Sequence, residues 1–558
     1  MADYPWYQHY GTSIPKEINP DSYSSVVAAF EESCLKFGDK VAFENMGVSM
    51  TFTQLKERAE NFAAWIQNNT DLVPGDKIAI QMPNLLQYPI CIYGSLLAGM
   101  VVVNVNPLYT AREMEHQFND SGAKAVVIVA NFCHELEQCL SKTGVKHVIV
   151  TRIPDLFPQP KQFIVNLVLN HVKKMVPKYN LPNTIDFRDV VKSRGVKPTP
   201  VTLKNTDTAF LQYTGGTTGV SKGAVLTHRN IIANMEQMRA LMGDVILEGK
   251  EIVITPLPMY HIFSLTVNCL AFIVMGGKNI LITNPRDMSA FVKELQKHDW
   301  TILTGVNTLF NGLLNNEEFK KLDFSSVKLV IGGAMAIQKA VAEKWRDVTG
   351  NLLVEGYGLT ESSPVASANP IDGRARIGTI GFPVSSTVIK LCDEDGKEVA
   401  LGERGEINIK GPQVMQGYYN LEEESANVLK DGWLRTGDVA VMAEDGFFTI
   451  VDRIKDMIIV SGFNVYPNEV EDVIASHPKV LEVAAIGVPD AKSTEAVKVF
   501  IVKKDPSLTE QEVRDYCEAN MTGYKKPKHI AFRDDLPKTN VGKILRRALR
   551  EEEAAKTA

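Results

Sequence analysis

Residues 53–82 read TQLKERAENFAAWIQNNTDLVPGDKIAIQM. The first part, 53–69, spaces its apolar residues as one face of a helix does. The end, KIAIQM at 77–82, is a short β-branched run that predicts a strand. The same kind of run recurs as VVVNVN (101–106), AVVIVA (125–130), HVIVT (147–151), EIVITPLP (251–258), NILIT (279–283), TILTGV (301–306) and KLVIGG (328–333). Strands that alternate with helical stretches predict parallel α/β layers. After residue 365 the texture changes. TVIKLCDEDGKEVALGERGEINIKG, 387–411, has the D-G turn and alternation of hairpins. A charged α+β region follows, with a domain boundary expected near Arg453–Lys455.

The chain has 558 residues, 45% of them apolar and 23% charged. That length suits roughly two to four domains and a sizeable core. A net charge of −6 argues against general nucleic-acid binding, which rewards a basic face. The seven cysteines are odd in number and widely spaced, and no C-x-x-C occurs. They read as reduced thiols of a cytosolic protein. The opening residues lack the basic-then-apolar pattern of a signal peptide, and the last residues are not an S-K-L address. The most apolar window, ICIYGSLLAGMVVV at 90–103, is too short to span a bilayer, so any membrane contact is expected to be peripheral.

FIVNLVLNHVKKMVPK, 163–178, reads as a helix-like segment with Lys173, Lys174 and Lys178 at one end. Its plainer reading is a surface helix packed on the body. The alternative is a peripheral contact with an anionic lipid surface.

YTGGTTGVSKGAVLTH, 213–228, has the residue types of a phosphate cradle. Gly215, Gly216 and Gly219 let backbone N–H groups approach phosphate oxygens. Thr214, Thr217 and Thr218 add hydroxyls, and Lys222 adds a point charge. The spacing matches neither the G-x-x-x-x-G-K-[ST] loop nor G-x-G-x-x-G. By itself the stretch indicates phosphate and no particular chemistry.

Other motifs narrow the reading. LPMYHIF stands at 257–263, GYGLTESSP at 356–364, WLRTGD at 433–438, IVDRIKDMIIVSGFNVYPNEVE at 450–471, GYKKPK at 523–528 and PKTNVGKILRR at 537–547. With the 213–228 stretch, these resemble, in order and over essentially the whole chain, the adenylate-forming superfamily of acyl-CoA synthetases, luciferases and peptide-synthetase adenylation domains. MPNLLQYP, NVNPLYT, LTHRN, LITNPRD, TGVNTLFN, GPQVMQGYY and SGFNVYPNE resemble its bacterial long-chain fatty-acid–CoA ligases. Two positions depart from that subgroup. Arg435 stands where histidine is frequent, and Ile454 where lysine is frequent.

The resemblance implies a large N-terminal domain (1–453) of parallel α/β layers with a small β-barrel-like part, and a smaller mobile α+β domain (454–558). It implies ATP, Mg²⁺ and CoA as reactants and cofactor, and a long-chain fatty acid as substrate. Lys543 would bridge the carboxylate and the α-phosphate. Glu361 would hold magnesium, and Thr360 would contact the α-phosphate. Gly332, Gly333 and Ala334 would wall the adenine, with Tyr357, between Gly356 and Gly358, as its stacking platform. Asp438 would accept the ribose hydroxyls beside Arg453. His261 would position the carboxylate and, with Phe263, gate the acyl pocket. Lys455 would be the hinge, and Ser461, Gly462 and the GYKKPK run would face CoA. The competing expectations are a relative acting on medium-chain or aromatic acids, one that stops at acyl-AMP, and a non-catalytic lipid- or nucleotide-binding module. A homodimer is left open.

Overall fold

A computed structural model gives the architecture of residues 4–10, 14–193, 195–214, 221–490, 492–539 and 542–557. The helix expected in 53–69 runs Phe52–Asn69. Thr51 and Gln54 cap it reciprocally, which satisfies N–H groups that a helix start leaves unpaired. Phe52, Leu55, Ala59, Phe62, Ala63 and Ile66 form its buried face. The strand that follows is Lys77–Gln81.

Two large sheets carry the body. One has seven strands. Ile185–Asp186, His147–Thr151, Ala123–Val129, Lys77–Gln81, Val101–Asn104 and Thr208–Thr214 lie parallel in that order, and Lys222–Thr227 closes the edge antiparallel. The other has nine strands. Its parallel centre runs Leu353–Gly358, Leu329–Gly332, Ile302–Gly305, Ile252–Thr255, Lys278–Leu281 and Val41–Asn45. Every β-branched run quoted above lies in one of these sheets. Their strands are nearly continuously buried, as parallel strands covered on both faces must be. One continuous apolar core runs between the two sheets, and a second covers the other face of the seven-stranded sheet.

The part expected to be barrel-like is a five-stranded antiparallel sheet. Its first hairpin pairs Val388–Cys392 with Arg404–Lys410, and Gly396 takes φ +80° in the D-G turn. Its last pair, Trp433–Met442 and Phe448–Arg453, sets Asp438 opposite Arg453. A second five-stranded sheet, from Ile458–Val460 to His529–Arg533, forms a separate, smaller C-terminal domain with the helices Pro467–Ala475, Glu510–Asn520 and Arg546–Thr557. Its apolar clusters are its own.

All seven cysteines are free and buried. Among the described residues no helix is long and apolar enough to cross a membrane. The 163–178 segment is not one helix. An α-helix spans Lys161–Leu167, a π-type turn Val168–Val172 follows, and the chain then leaves helical geometry, with Lys174 at φ +49°. Val165 and Leu169 pack against the core of the body, and Asn166, Leu169 and Asn170 line a cavity of about 280 Å³ together with Arg152.

Candidate active site

The hairpin Thr208–Thr214/Lys222–Thr227 pairs Thr214 with Lys222. Lys222 thus lies on a strand paired with the one that ends at Thr214, unlike the helix-borne lysine of G-x-x-x-x-G-K-[ST] proteins. Gly215, Gly216, Thr217, Thr218 and Gly219 lie outside the described residues. Lys222 reaches across to Glu424, and its ammonium lies 5.2 Å from the Tyr418 ring.

The sequence also explains what holds this region in place. Thr227 caps the helix His228–Met242. Asn230 then donates to the carbonyls of Pro412 and Val414, both at 2.8 Å. Asn234 donates to Val365 O at 2.8 Å and accepts from Val365 N–H at 3.1 Å. Two buried amides thereby fix Val365 and the 412–414 segment, which precedes the Met415 that bonds Glu361. Met415 N–H donates to Glu361 O at 2.8 Å, and the Tyr418 hydroxyl donates to Glu361 Oε1 at 2.7 Å. Thr360 and Glu361 stand on the short turn Thr360–Ser362.

A second buried network holds the His261 loop. Asn84 donates to Thr255 O and Leu257 O, each at 2.9 Å, and accepts from Met259 N–H at 2.8 Å. Tyr88 donates to Met259 O at 2.8 Å, and Gln212 donates to Tyr260 O at 2.7 Å. Asn104 links to Gln212 at 3.0 Å. His261 Nδ1 accepts from Phe263 N–H at 3.4 Å. Burial, and then the neighbouring Lys543 charge, push the His261 pKa down to about 4, so its ring is neutral at pH 7.

Gly332, Gly333 and Gly356 come together at the ends of adjacent strands. A Cβ on Gly333 would stand 3.2 Å from Gly356 O and 3.2 Å from the Phe263 ring. A Cβ on Gly358 would lie 1.9 Å from Pro364 O, so only glycine fits there. Ala334 adopts φ +62°, an uncommon conformation for a residue with a side chain.

Asp438 is 4% exposed. It accepts the Tyr357 hydroxyl at 2.7 Å and Arg453 Nε at 2.9 Å. An ionised carboxylate has about four lone-pair sites, so further hydroxyls can still be accepted. Arg435 makes two bonds to Glu406, at 2.7 and 3.1 Å, and Glu406 also accepts Gly437 N–H at 3.0 Å. The departure from histidine thus shapes the turn before Asp438. Ile454 is 43% exposed.

Lys543 is supplied by the C-terminal domain, and its charge interacts with Arg453, Asp438 and His261. Burial, then Arg453, lower its pKa to about 8. Its neighbour Gly542 accepts from Thr308 Oγ1 of the body at 3.3 Å. Lys455 stands in the short turn Ile454–Asp456, and its charge helps hold the Glu424 carboxyl below its usual range, after Lys222. Ser461 and Gly462 stand apart from this cluster. They form the exposed turn between Ile458–Val460 and Phe463–Val465, and Ser461 N–H donates to Ser493 O at 2.8 Å.

The arrangement sets a group of residues held by the body around one cationic side chain that a separate domain contributes. Comparison with known proteins gives it a class. Residues 30–419 match the AMP-binding enzyme family, and residues 469–543 match the AMP-binding enzyme C-terminal domain. The chain belongs to the AMP-binding enzyme family. It is 57% identical to an Escherichia coli O6:H1 protein named long-chain-fatty-acid–CoA ligase, covering 99% of this chain and 98% of that one. Its identity to the Haemophilus influenzae protein of the same name is 52%, over 99% of both chains. A benzoate CoA ligase structure from Burkholderia xenovorans superposes with TM-score 0.81 at 25% identity, covering 94% of this chain and 99% of that one.

Proposed function

We propose that this protein is a long-chain fatty-acid–CoA ligase working in two half-reactions. A fatty carboxylate attacks the α-phosphorus of ATP, forming acyl-AMP and releasing pyrophosphate. The CoA thiol then attacks the acyl carbon, forming the thioester and releasing AMP. The observation that carries the reading is the interaction of the Lys543 charge, on the C-terminal domain, with Asp438, Arg453 and His261 of the body. The full-length relatives bearing that name support the chain length of the substrate.

A carboxylate is ionised at pH 7 and needs no general base. The obstacle is an anion approaching a polyanion, so the residues act by position and charge. Lys543 bridges the carboxylate and the α-phosphate, which Thr360 also contacts. Thr214 and Lys222, with the intervening 215–219, cradle the outer phosphates. Once they arrive, Lys222 exchanges Glu424 for phosphate. Gly332, Gly333, Ala334 and Tyr357 seat the adenine, and Asp438 and Arg453 the ribose. Neutral His261 positions the carboxylate without taking its proton.

Glu361 suits a hard cation. One oxygen accepts a tyrosine hydroxyl, and among the described residues no Lys, Arg or His pairs with it. It would hold Mg²⁺, which when bound neutralises phosphate charge. We place the domain boundary at Arg453/Ile454 and the hinge at Lys455. Rotation there withdraws Lys543 and presents the face bearing Ser461, Gly462 and residues 523–528 to CoA.

We also place the enzyme in the cytoplasm, where its free thiols stay reduced, with peripheral contact to an anionic lipid surface. Phe163, Ile164, Leu167, Val172 and Met175 are 64, 53, 46, 71 and 47% exposed, and Lys173, Lys174 and Lys178 are exposed beside them. Apolar side chains beside cations suit a membrane that is also the reservoir of a long-chain acid. Replacing the three lysines by glutamate should abolish sedimentation with anionic vesicles; unchanged sedimentation contradicts the contact.

The experiment for the activity supplies Mg²⁺, ATP, CoA and acids from acetate to oleate, plus coumarate. The expected products are AMP and long-chain acyl-CoA. A short-chain or aromatic thioester discards the lipid assignment.

A further inference from the structure

The hinge is flanked by two buried carboxylates, Asp452 at 1% and Asp456 at 9% exposure. They lie on opposite sides of Lys455. Asp452 belongs to the strand Phe448–Arg453, laddered to the strand that carries Asp438. Asp456 belongs to the arm that would turn. Both accept from one guanidinium, Arg546 Nη1, at 3.2 and 3.4 Å.

Arg546 has further partners, all on the arm. It donates to Glu471 at 2.9 and 2.6 Å and to Asn468 Oδ1 at 2.6 Å. Arg550 also donates to Asp456, at 2.8 Å. This cluster stays charge-paired if the arm rotates as a body. Asp452 does not share that security. Among the described residues it accepts, besides Arg546, Asn468 N–H at 2.8 Å and otherwise only its neighbour Arg453 N–H at 2.7 Å. Rotation about Lys455 would therefore strip Asp452 of every partner on the arm and leave the rest of the cluster whole.

The same cluster is tied to the catalytic lysine. Arg546 follows Lys543 by three residues, and the backbone 543–545 leading to it is paired with 537–539 by Thr539 N–H to Lys543 O and Leu545 N–H to Pro537 O, both at 2.7 Å. Fixing Arg546 fixes where Lys543 points.

We propose that Asp452 is a latch that holds the C-terminal domain in the acyl-AMP-forming position, and that its release from Arg546 and Asn468 accompanies the change to thioester formation. The latch rests on the hinge reading above. Asp452 is a positioning residue that touches no substrate. Its burial raises its pKa despite Arg546, so the carboxylate is poorly solvated and depends on these donors. Other described contacts between body and arm do not involve a buried carboxylate of the body, and Asn468 Nδ2 also donates to Val451 O at 3.3 Å. Arg404 pairs with Glu469 at 2.9 Å at 46% and 29% exposure, and Asn311 donates to Leu481 O at 3.0 Å.

The test measures the two half-reactions separately in the full-length D452N and D452A proteins. Palmitate-dependent ATP–pyrophosphate exchange reads the first, and thioester formation from supplied palmitoyl-AMP reads the second. Loss of a charged hydrogen-bond pair predicts about a tenfold fall in exchange, with the second half-reaction held within about twofold or faster. Spin labels at L401C and A519C, both exposed while the native thiols are buried, read the arm's position. D452N should move the distance distribution away from that of the wild type without nucleotide. Equal loss in both half-reactions with an unmoved distribution overturns the latch. D452N keeps the side chain's shape, so it remains informative if D452A does not fold. A wild type that lacks either half-reaction overturns the ligase reading itself, a result distinct from failure of the latch alone.

Discussion

The two walls of the site are built differently. The body's wall is held from beneath by buried amides. Asn84, Gln212, Asn230 and Asn234 each satisfy backbone groups of loops far away in sequence, at 2.7–3.1 Å. The other wall is a single lysine on a domain with its own core, whose contacts with the body include Thr308 to Gly542 at 3.3 Å, Arg404 to Glu469, Asn311 to Leu481 and the Asp452 cluster. An unsatisfied buried polar group costs more than its hydrogen bond returns, so the first wall is rigid. The second can leave at modest cost. A site that must serve ATP and then CoA needs that asymmetry.

The sharpest way to break the comparison is at Lys543. K543A should lower ATP–pyrophosphate exchange by roughly 10²–10³-fold, the scale of losing one preorganised charge, while thioester formation from supplied acyl-AMP stays near wild type. Equal losses would place Lys543 in the fixed wall. Next is the hinge. K455P should leave exchange nearly intact and slow the second half-reaction by about tenfold or more. Stopped-flow with palmitoyl-AMP and CoA reads it, and parallel losses would remove the hinge from Lys455.

The rigid wall should respond in stability. N84A leaves the Met259 N–H unpaired in a buried loop and removes one of two donors from each of Thr255 O and Leu257 O, at a cost of about 2 kcal/mol in urea unfolding. An unchanged midpoint would mean that the loop is held otherwise. The smallest effect is in pH. A lowered lysine pKa means the ammonium persists below about 8 and is lost as pH rises through it. The kcat/KM for the first half-reaction should therefore fall about tenfold per pH unit above that value. K543R, whose charge persists, should flatten the fall even if its rate is lower.

Most of the fold was legible because strand runs such as KIAIQM and TILTGV carry a local signal of β-branched residues between helical stretches. The 163–178 segment misled for the same reason. Its apolar spacing continues through 168–172, but Lys174 at φ +49° and Pro177 end the helix pattern early. In the site, Lys543, Glu361 and Asp438 stood out only through ordered motifs. Asn84 and Asn230 lay within quoted stretches, MPNLLQYP and LTHRN, yet nothing local told them from surface amides. Asn234, Tyr418, Glu424, Asp452 and Arg546 were not singled out. Apart from Arg453 next to Asp452, the partners described above lie from 16 to 202 residues away, and no periodicity encodes such pairings.

The central claim is that one site does two chemistries in sequence, and a single-turnover trap tests it directly. Protein in excess over ATP, with Mg²⁺ and palmitate but no CoA, should accumulate enzyme-bound palmitoyl-AMP and release pyrophosphate. A later addition of CoA should convert that pool to palmitoyl-CoA and AMP. Formation of ADP, or a thioester that appears without the palmitoyl-AMP pool being consumed, would contradict the account.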